Sequence, residues 1–331
     1  MRVFFAKPYR IAAVYAVFLT LAFTYVLLDT FVIPRAQMPI ARSIVSQAEQ
    51  ISETPQISIP EDTVVSSGSD QTEYEAEDPP MEDIIMEPII TDSSYVDGDI
   101  SIEIETLRKY NTTLYVADIR LTDVSLLKTA FAQNTFGRNI KETTSTMAES
   151  QNAILAINGD YYGFRDAGYV LRNGELYRDI GNGADMLVID LDGNFSIVNE
   201  NDVSAKDMLE DGAWQTLSFG PALMDNGEIS VNISSEIEGR SAPSNPRTAI
   251  GQAGPLHYVF IVSDGRSNES AGFSLFQLAE EFAERGCSVA YNLDGGGSST
   301  MVFNGAVINN PTNGRSTRER ELSDIVYIGY E

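Results

Sequence analysis

One cysteine, one histidine and one tryptophan stand in 331 residues. A lone Cys287 forbids any disulfide within the chain. With only His257 beside it, a zinc site built from Cys and His runs short of donors, and Ser-His-Asp catalysis has a single histidine to draw on. His257 lies in the apolar run Pro255 to Val262, where a satisfied structural histidine is the expectation. Cys287 sits between Gly286 and a buried strand, which predicts inert packing. Positive charge is scarce: 22 Lys and Arg face 48 Asp and Glu, a net charge of −26. Such a chain is a poor nucleic-acid binder, because neutralising phosphates takes Lys and Arg. The sequence also lacks an internal repeat and an alternating βαβ series, which excludes a Rossmann or barrel reading.

One long hydrophobic run is present. Ile11 to Ile33 carries a single charge, Asp29, near its far end, and is long enough to cross a hydrocarbon core of roughly 30 Å as a helix. Arg2, Lys7 and Arg10 precede it, so the positive-inside rule puts residues 1–10 in the cytoplasm and the rest outside. A cleaved signal peptide has a shorter apolar core, about 7–15 residues, and ends at a small-x-small site. The exit Ile33-Pro34-Arg35-Ala36-Gln37 offers none, so a single-pass cell-membrane anchor over 11–33 is expected. No Lys or Arg occurs between Arg42 and Arg108, while Asp, Glu, Ser, Thr and Pro recur. Residues 34–105 therefore read as an acidic, disordered linker, leaving a globular domain over 106–331.

Within that domain the periodicity predicts short strands at 113–118, 119–122, 153–157, 186–190, 195–198, 248–251, 257–262, 288–293, 299–303 and 325–330. Tyr169 to Tyr177 reads as a hairpin turned at Asn173-Gly174. Helices are few, at 143–152, 204–210 and 274–285, the last opened by the capping-box pair Ser274 and Gln277 and closed by Gly286. The fold class is α+β, with a mixed or largely antiparallel sheet.

The densest chemistry lies in Asn292-Leu293-Asp294-Gly295-Gly296-Gly297-Ser298-Ser299-Thr300-Met301. Glycines at a strand end let the backbone approach a ligand and expose its N–H groups, which suits an anionic oxygen. A lone triple glycine is ordinarily a sharp turn with a solvated Asp. Four further blocks change that reading: Ala156-Ile157-Asn158-Gly159-Asp160-Tyr161-Tyr162, Phe219-Gly220-Pro221-Ala222-Leu223, Asn245-Pro246-Arg247-Thr248-Ala249-Ile250-Gly251 and Val262-Ser263-Asp264-Gly265-Arg266. In their order and spacing, from about Tyr115 to Tyr330, they resemble the phosphodiester glycosidase family. Arg320-Glu321-Leu322-Ser323-Asp324 departs from the Arg-Pro-Val type of sequence common there, so Arg320 is given no role.

The resemblance implies hydrolysis of a sugar-1-phosphodiester, such as an N-acetylglucosamine-1-phosphodiester, in cell-envelope or exopolysaccharide glycans. That chemistry needs cations for the phosphate and a carboxylate near the sugar. Arg247 and Arg266 are the phosphate candidates, since a guanidinium binds two oxygens at once. Asp294 is the leading catalytic candidate, as base or nucleophile, with Asp160 as partner carboxylate and Asp264 as the third strand-end acid. Gly295, Gly296 and Ser298 are expected to donate to a phosphate or sugar oxygen, Asn158 and Asn292 to hold sugar hydroxyls, and Tyr161 to stack on the ring. No cofactor is expected. Clustered aspartates can also hold Ca²⁺ through hard oxygens, but no calcium-loop spacing occurs. Two other classes compete: a non-catalytic carbohydrate-binding ectodomain serving exopolysaccharide biosynthesis, and a phosphodiesterase breaking the P–O bond. The latter usually calls for two metals and more histidines.

Overall fold

A computed structural model describes residues 8–42, 87–232, 244–314 and 316–330. The expected cytoplasmic tail up to residue 7 and the linker between 43 and 86 lie outside the described residues. The long apolar run forms helix α1 (Pro8–Phe31), which stands clear of the rest of the chain with its apolar side chains uncovered. The globular part is built almost entirely from antiparallel strands.

Two sheets carry the core. The larger has nine strands, with β1 (Ile100–Lys109), β2 (Thr112–Leu121), β8 (Arg247–Gly254), β9 (His257–Ser263) and β10 (Val289–Asn292) at its centre. The smaller has five, including β3 (Leu127–Phe131), β4 (Leu155–Asn158), β11 (Met301–Phe303) and β12 (Asp324–Ile328). Alternation along the strands sorts side chains between layers. Ile100, Ile102, Ile104, Tyr115, Ala117 and Ile119 turn inward, onto the core shared with Leu155 and Ile157 of the smaller sheet. Leu114 and Val116 turn outward, to Leu278 and Phe282. Those two belong to α4 (Leu275–Glu284), which covers the outer face of the nine-stranded sheet. On the far side, Met147 and Ala148 of α2 (Thr144–Ser150) pack on Ala156 and Val302. The layers thus run helix, sheet, sheet, helix. A third sheet, β6 (Asp185–Asp190) between β7 (Phe195–Asn199) and Ala213–Leu217, packs with α3 (Ala205–Glu210).

Local signals hold where they are strongest. Ser274 accepts from the Gln277 N–H and Gln277 reaches back, a complete capping box. The hairpin of β5 (Val170–Arg172) with Glu175–Arg178 turns at Asn173 and Gly174, with φ of 49° and 72°. That is the left-handed pair a two-residue turn demands. Residues 113–121 lie in the single strand β2 rather than in two.

The expected start of the domain at 106 is corrected. It falls inside β1, which is paired along its length with β2, and Ser94–Val96 and Ile89–Ile90 continue the same sheet outward. Glu103 and Glu105 occupy the solvent side of β1 and disguise it as linker. The other end of the expected linker is also structured: Arg35–Ala36 pairs with Gly137–Arg138, and Ala41–Arg42 with Glu175–Leu176.

Candidate active site

The site lies where the ends of β4 and β10 meet the start of β8. Asn158, fully buried at the end of β4, donates to the Asp294 carbonyl at 2.7 Å and accepts from Thr248 Oγ1 of β8 at 2.7 Å. One side chain thereby fastens the two sheets together beside the glycine block. Asp294 itself donates its N–H to the Gly159 carbonyl, so the two turns, 158–160 and 292–298, are locked as one unit.

Asp294 is nearly buried, and Ser298 Oγ donates to its Oδ2 at 2.5 Å. Burial pushes its carboxyl above the ordinary range, while Ser298, Arg320 and Arg165 pull the other way. The three glycines answer a steric requirement. A methyl group on Gly297 would lie 2.5 Å from an Arg320 nitrogen, and one on Gly296 2.9 Å from an Arg266 nitrogen. Gly296 also holds a φ of 64°, where side chains are strained. Two guanidiniums therefore lie flat against bare backbone, and Arg320 Nη1 reaches Ser298 Oγ at 3.4 Å. Arg320 opens onto a cleft of about 680 Å³ that Lys141, Asn313 and Arg318 also line.

The other candidates divide. Arg266 is exposed and held by Asn245 Oδ1 at 2.9 and 3.1 Å. Arg247 is buried behind Gly295, with Nε donating to the Phe273 carbonyl at 3.0 Å. Asn292 donates to the Gly220 carbonyl, and its Oδ1 is buried with no hydrogen bond from the described residues. Tyr161 stacks on Phe164, with the Arg165 guanidinium 5.7 Å from its ring centre. Tyr162 turns away into a cluster with Phe131 and Phe136.

Asp160 and Asp264 are each held by several hydrogen bonds. Asp160 Oδ1 accepts from the Tyr162 N–H, and its Oδ2 from the Ser218 N–H and Arg172 Nη2, both at 3.0 Å. Arg172, wholly buried, also bridges to Asp324 at 2.9 Å. Asp264 takes the backbone and side-chain N–H groups of Asn310 at 2.8 and 2.9 Å. Each carboxylate is spent on holding loops in register.

Sequence reasoning passed over Arg165, Arg172 and Asp324, and left Arg320 without a role. A charged Arg172 inside the apolar strand Val170-Leu171-Arg172 was the available signal, since a buried charge demands partners. Arg165 sits in an irregular stretch with no periodic cue. The histidine and cysteine behave as expected: His257 pairs with Asp118 at 2.9 Å, and burial pushes the Cys287 thiol up to about 12.

Residues 151–329 match the family model for phosphodiester glycosidases. The chain is 32% identical over 203 residues to the SPbeta prophage-derived uncharacterized protein YomE of Bacillus subtilis, covering 59% of this chain and 31% of that one. It is 32% identical over 109 residues to mouse N-acetylglucosamine-1-phosphodiester alpha-N-acetylglucosaminidase, covering 30% of this chain and 21% of the enzyme. The chain thus spans about a third and a fifth of these relatives' lengths. Among solved structures, the zebrafish N-acetylglucosamine-1-phosphodiester alpha-N-acetylglucosaminidase catalytic domain, auto-inhibited by its pro-peptide, superposes with a TM-score of 0.55 at 20% identity. That match covers 70% of this chain and 83% of that one. A hypothetical protein from Synechocystis gives 0.50 at 15% identity, over 70% of this chain and 62% of that one. These two likenesses speak for the fold. The family match runs from the end of α2 through β12, more than half of the sequence, and on it the chain belongs to the phosphodiester glycosidase family.

Proposed function

We propose that this chain is a membrane-anchored, extracytoplasmic glycosidase that hydrolyses a sugar-1-phosphodiester, resembling an N-acetylglucosamine-1-phosphodiester, in cell-envelope or exopolysaccharide glycans. The observation that carries it is the pairing of a buried carboxyl, Asp294, with guanidiniums laid on the bare backbone of Gly296 and Gly297. Arg320 and Arg266 take the phosphate oxygens, each as a planar fork. The anomeric C–O bond breaks and its electron pair leaves on the phosphate, whose charge those cations already offset. Such a leaving group needs little help from an acid. With Asp160 fully engaged elsewhere, one carboxylate remains, and Asp294 acts as general base: it takes a proton from the water whose oxygen joins the anomeric carbon. A raised carboxyl is the stronger base for that step. Asn292 Oδ1 accepts from a sugar hydroxyl and Tyr161 flanks the ring.

The anchor reading draws support from the uncovered apolar surface of α1 and from the way its exit is built into the domain as paired strands. A signal segment removed after export would take part of that framework with it.

Turnover of a sugar-1-phosphodiester in ¹⁸O water tests the reaction. The proposal expects label in the released sugar. Label in phosphate means P–O cleavage, and binding without turnover means a carbohydrate-binding ectodomain.

A further inference from the structure

The junction of α1 with the domain encloses a second groove. Asn139 Nδ2 donates to the carbonyls of Thr30 and Ile33, each at 3.1 Å, and Gln37 N–H donates to the Phe136 carbonyl at 2.8 Å. No more than about 14 Å of extended chain separates Phe31 from Arg35, so the domain is held at the helix exit. Between the exit segment and the domain lies a groove of about 470 Å³. Four arginines line it: Arg35, Arg138, Arg165 and Arg178, against Asp166 and Asp179. Arg35 pairs with Asp29, and Arg138 with Asp166 at 2.6 Å. Arg165 and Arg178 instead donate to the carbonyls of Ser218 and Tyr162, at 2.6 and 3.0 Å. Among the described residues neither has a carboxylate partner. The mouth of this cationic groove is apolar: Met38, Ile180 and Ile40 are 82%, 59% and 50% exposed.

We infer that this groove receives the polar backbone of a bilayer lipid just beyond the scissile phosphate, which Arg320 and Arg266 hold, so that the substrate is a glycosyl phosphodiester whose second arm is a membrane lipid. The inference rests on the glycosidase reading above. Three features converge on it. The groove sits at the level of the helix exit, where lipid headgroups lie. Its interior offers the guanidiniums of Arg165 and Arg178, which are hydrogen-bonded to carbonyls, and its rim carries the apolar side chains that favour insertion among acyl chains. Arg165 links the groove to the site, since its guanidinium lies 5.7 Å from the centre of the Tyr161 ring assigned to flank the sugar. A water-soluble second arm would give the apolar rim nothing to contact.

The test uses the full chain in lipid nanodiscs and two phosphodiesters of the same sugar. One carries a dialkylglycerol arm dissolved in the disc, the other a methyl arm free in solution. Wild type should favour the lipid-armed substrate by about tenfold or more in kcat/KM. Arg178→Gln, and separately Met38→Ser with Ile180→Ser, should erase most of that preference while methyl-armed turnover stays within about twofold. Equal rates on both substrates in wild type, or variants that slow both alike, overturn the inference. If neither substrate turns over, the glycosidase reading fails by itself and binding decides the groove. Protein extracted from discs of mixed phosphatidylglycerol and phosphatidylcholine should retain the phosphatidylglycerol in mass spectra. The Arg178→Gln variant should lose it, and equal retention by both proteins overturns the groove as a lipid site.

Discussion

Arg172 holds more of the site in place than its position in a short hairpin strand suggests. It is the shared partner of two buried carboxylates, Asp160 on the loop beside Asp294 and Asp324 at the start of β12. Replacing it with Met leaves both acids without a cation in the interior. The expected cost is about 3–5 kcal/mol, read as a fall in the denaturant midpoint, and an unchanged midpoint would remove the bridge from the account. Asp294→Asn should behave in the opposite way. Turnover should vanish, whereas stability at pH 7 should match or exceed wild type. The folded state holds the Asp294 proton to higher pH than the unfolded chain does, so the stability this group contributes is full below about pH 4 and falls as pH rises through its raised value. An amide has nothing to ionise, and the two proteins should converge in stability near pH 4. Should the Asn variant keep turning over while unfolding more easily, Asp294 is only a turn cap. If Asp294 is the base, the sugar released first has inverted configuration, which NMR of the fresh product reads directly; retention would make Asp294 the nucleophile. Gly297→Ala isolates the phosphate clamp. Its methyl meets the far end of a flexible Arg320, so folding should be little changed and KM for phosphodiesters should rise severalfold. At this scale the sequence made the glycine turn and Asp294 legible, because glycine and strand-end acids leave local signs. The engagements of Asp160 and Asp264 were hidden, since their partners Ser218 and Asn310 come from distant stretches.

Elements were legible in proportion to how far their pattern is local. Helix α4 announced itself through Ser274, Gln277 and the spacing of Leu275, Leu278 and Phe282, and all of these sit as expected. Ser274→Ala should cost about 1 kcal/mol, visible as a small drop in midpoint. Strand β1 went unread for a physical reason. Its buried Ile100, Ile102 and Ile104 alternate with Ser101, Glu103 and Glu105, which is the pattern of a half-exposed antiparallel strand. Placed after an acidic segment, that alternation looks like more of the same charge. The consequence is sharp for domain limits. Protein beginning at residue 106 loses most of a central strand together with three core isoleucines, and should fail to unfold cooperatively. Protein beginning at 87 should show one sharp transition, and equal behaviour of the two would mean β1 is dispensable.

Across the whole molecule, the layering of helix, sheet, sheet and helix depends on pairings between residues far apart, such as β8 with β10 and β4 with β12. No periodicity within one segment encodes such partners, which is why an antiparallel α+β domain was foreseeable and its strand order was not. The anchored, outward-facing arrangement proposed above has a direct check. Protease added to intact cells should remove the domain and leave a small membrane-bound remnant; a domain protected until lysis would reverse the orientation. The lone Cys287 gives the molecule one more property. Its sulfur is sealed at the junction of α4 and β10 and kept protonated by burial, so a thiol reagent in the surrounding solution meets nothing to attack while the layers are closed. Each opening event exposes a single sulfhydryl with an ordinary acidity, and under a reagent concentrated enough to outpace reclosing, the rate at which it is captured counts those events. The protein therefore carries its own clock for how often its core comes apart, without any label having to be installed.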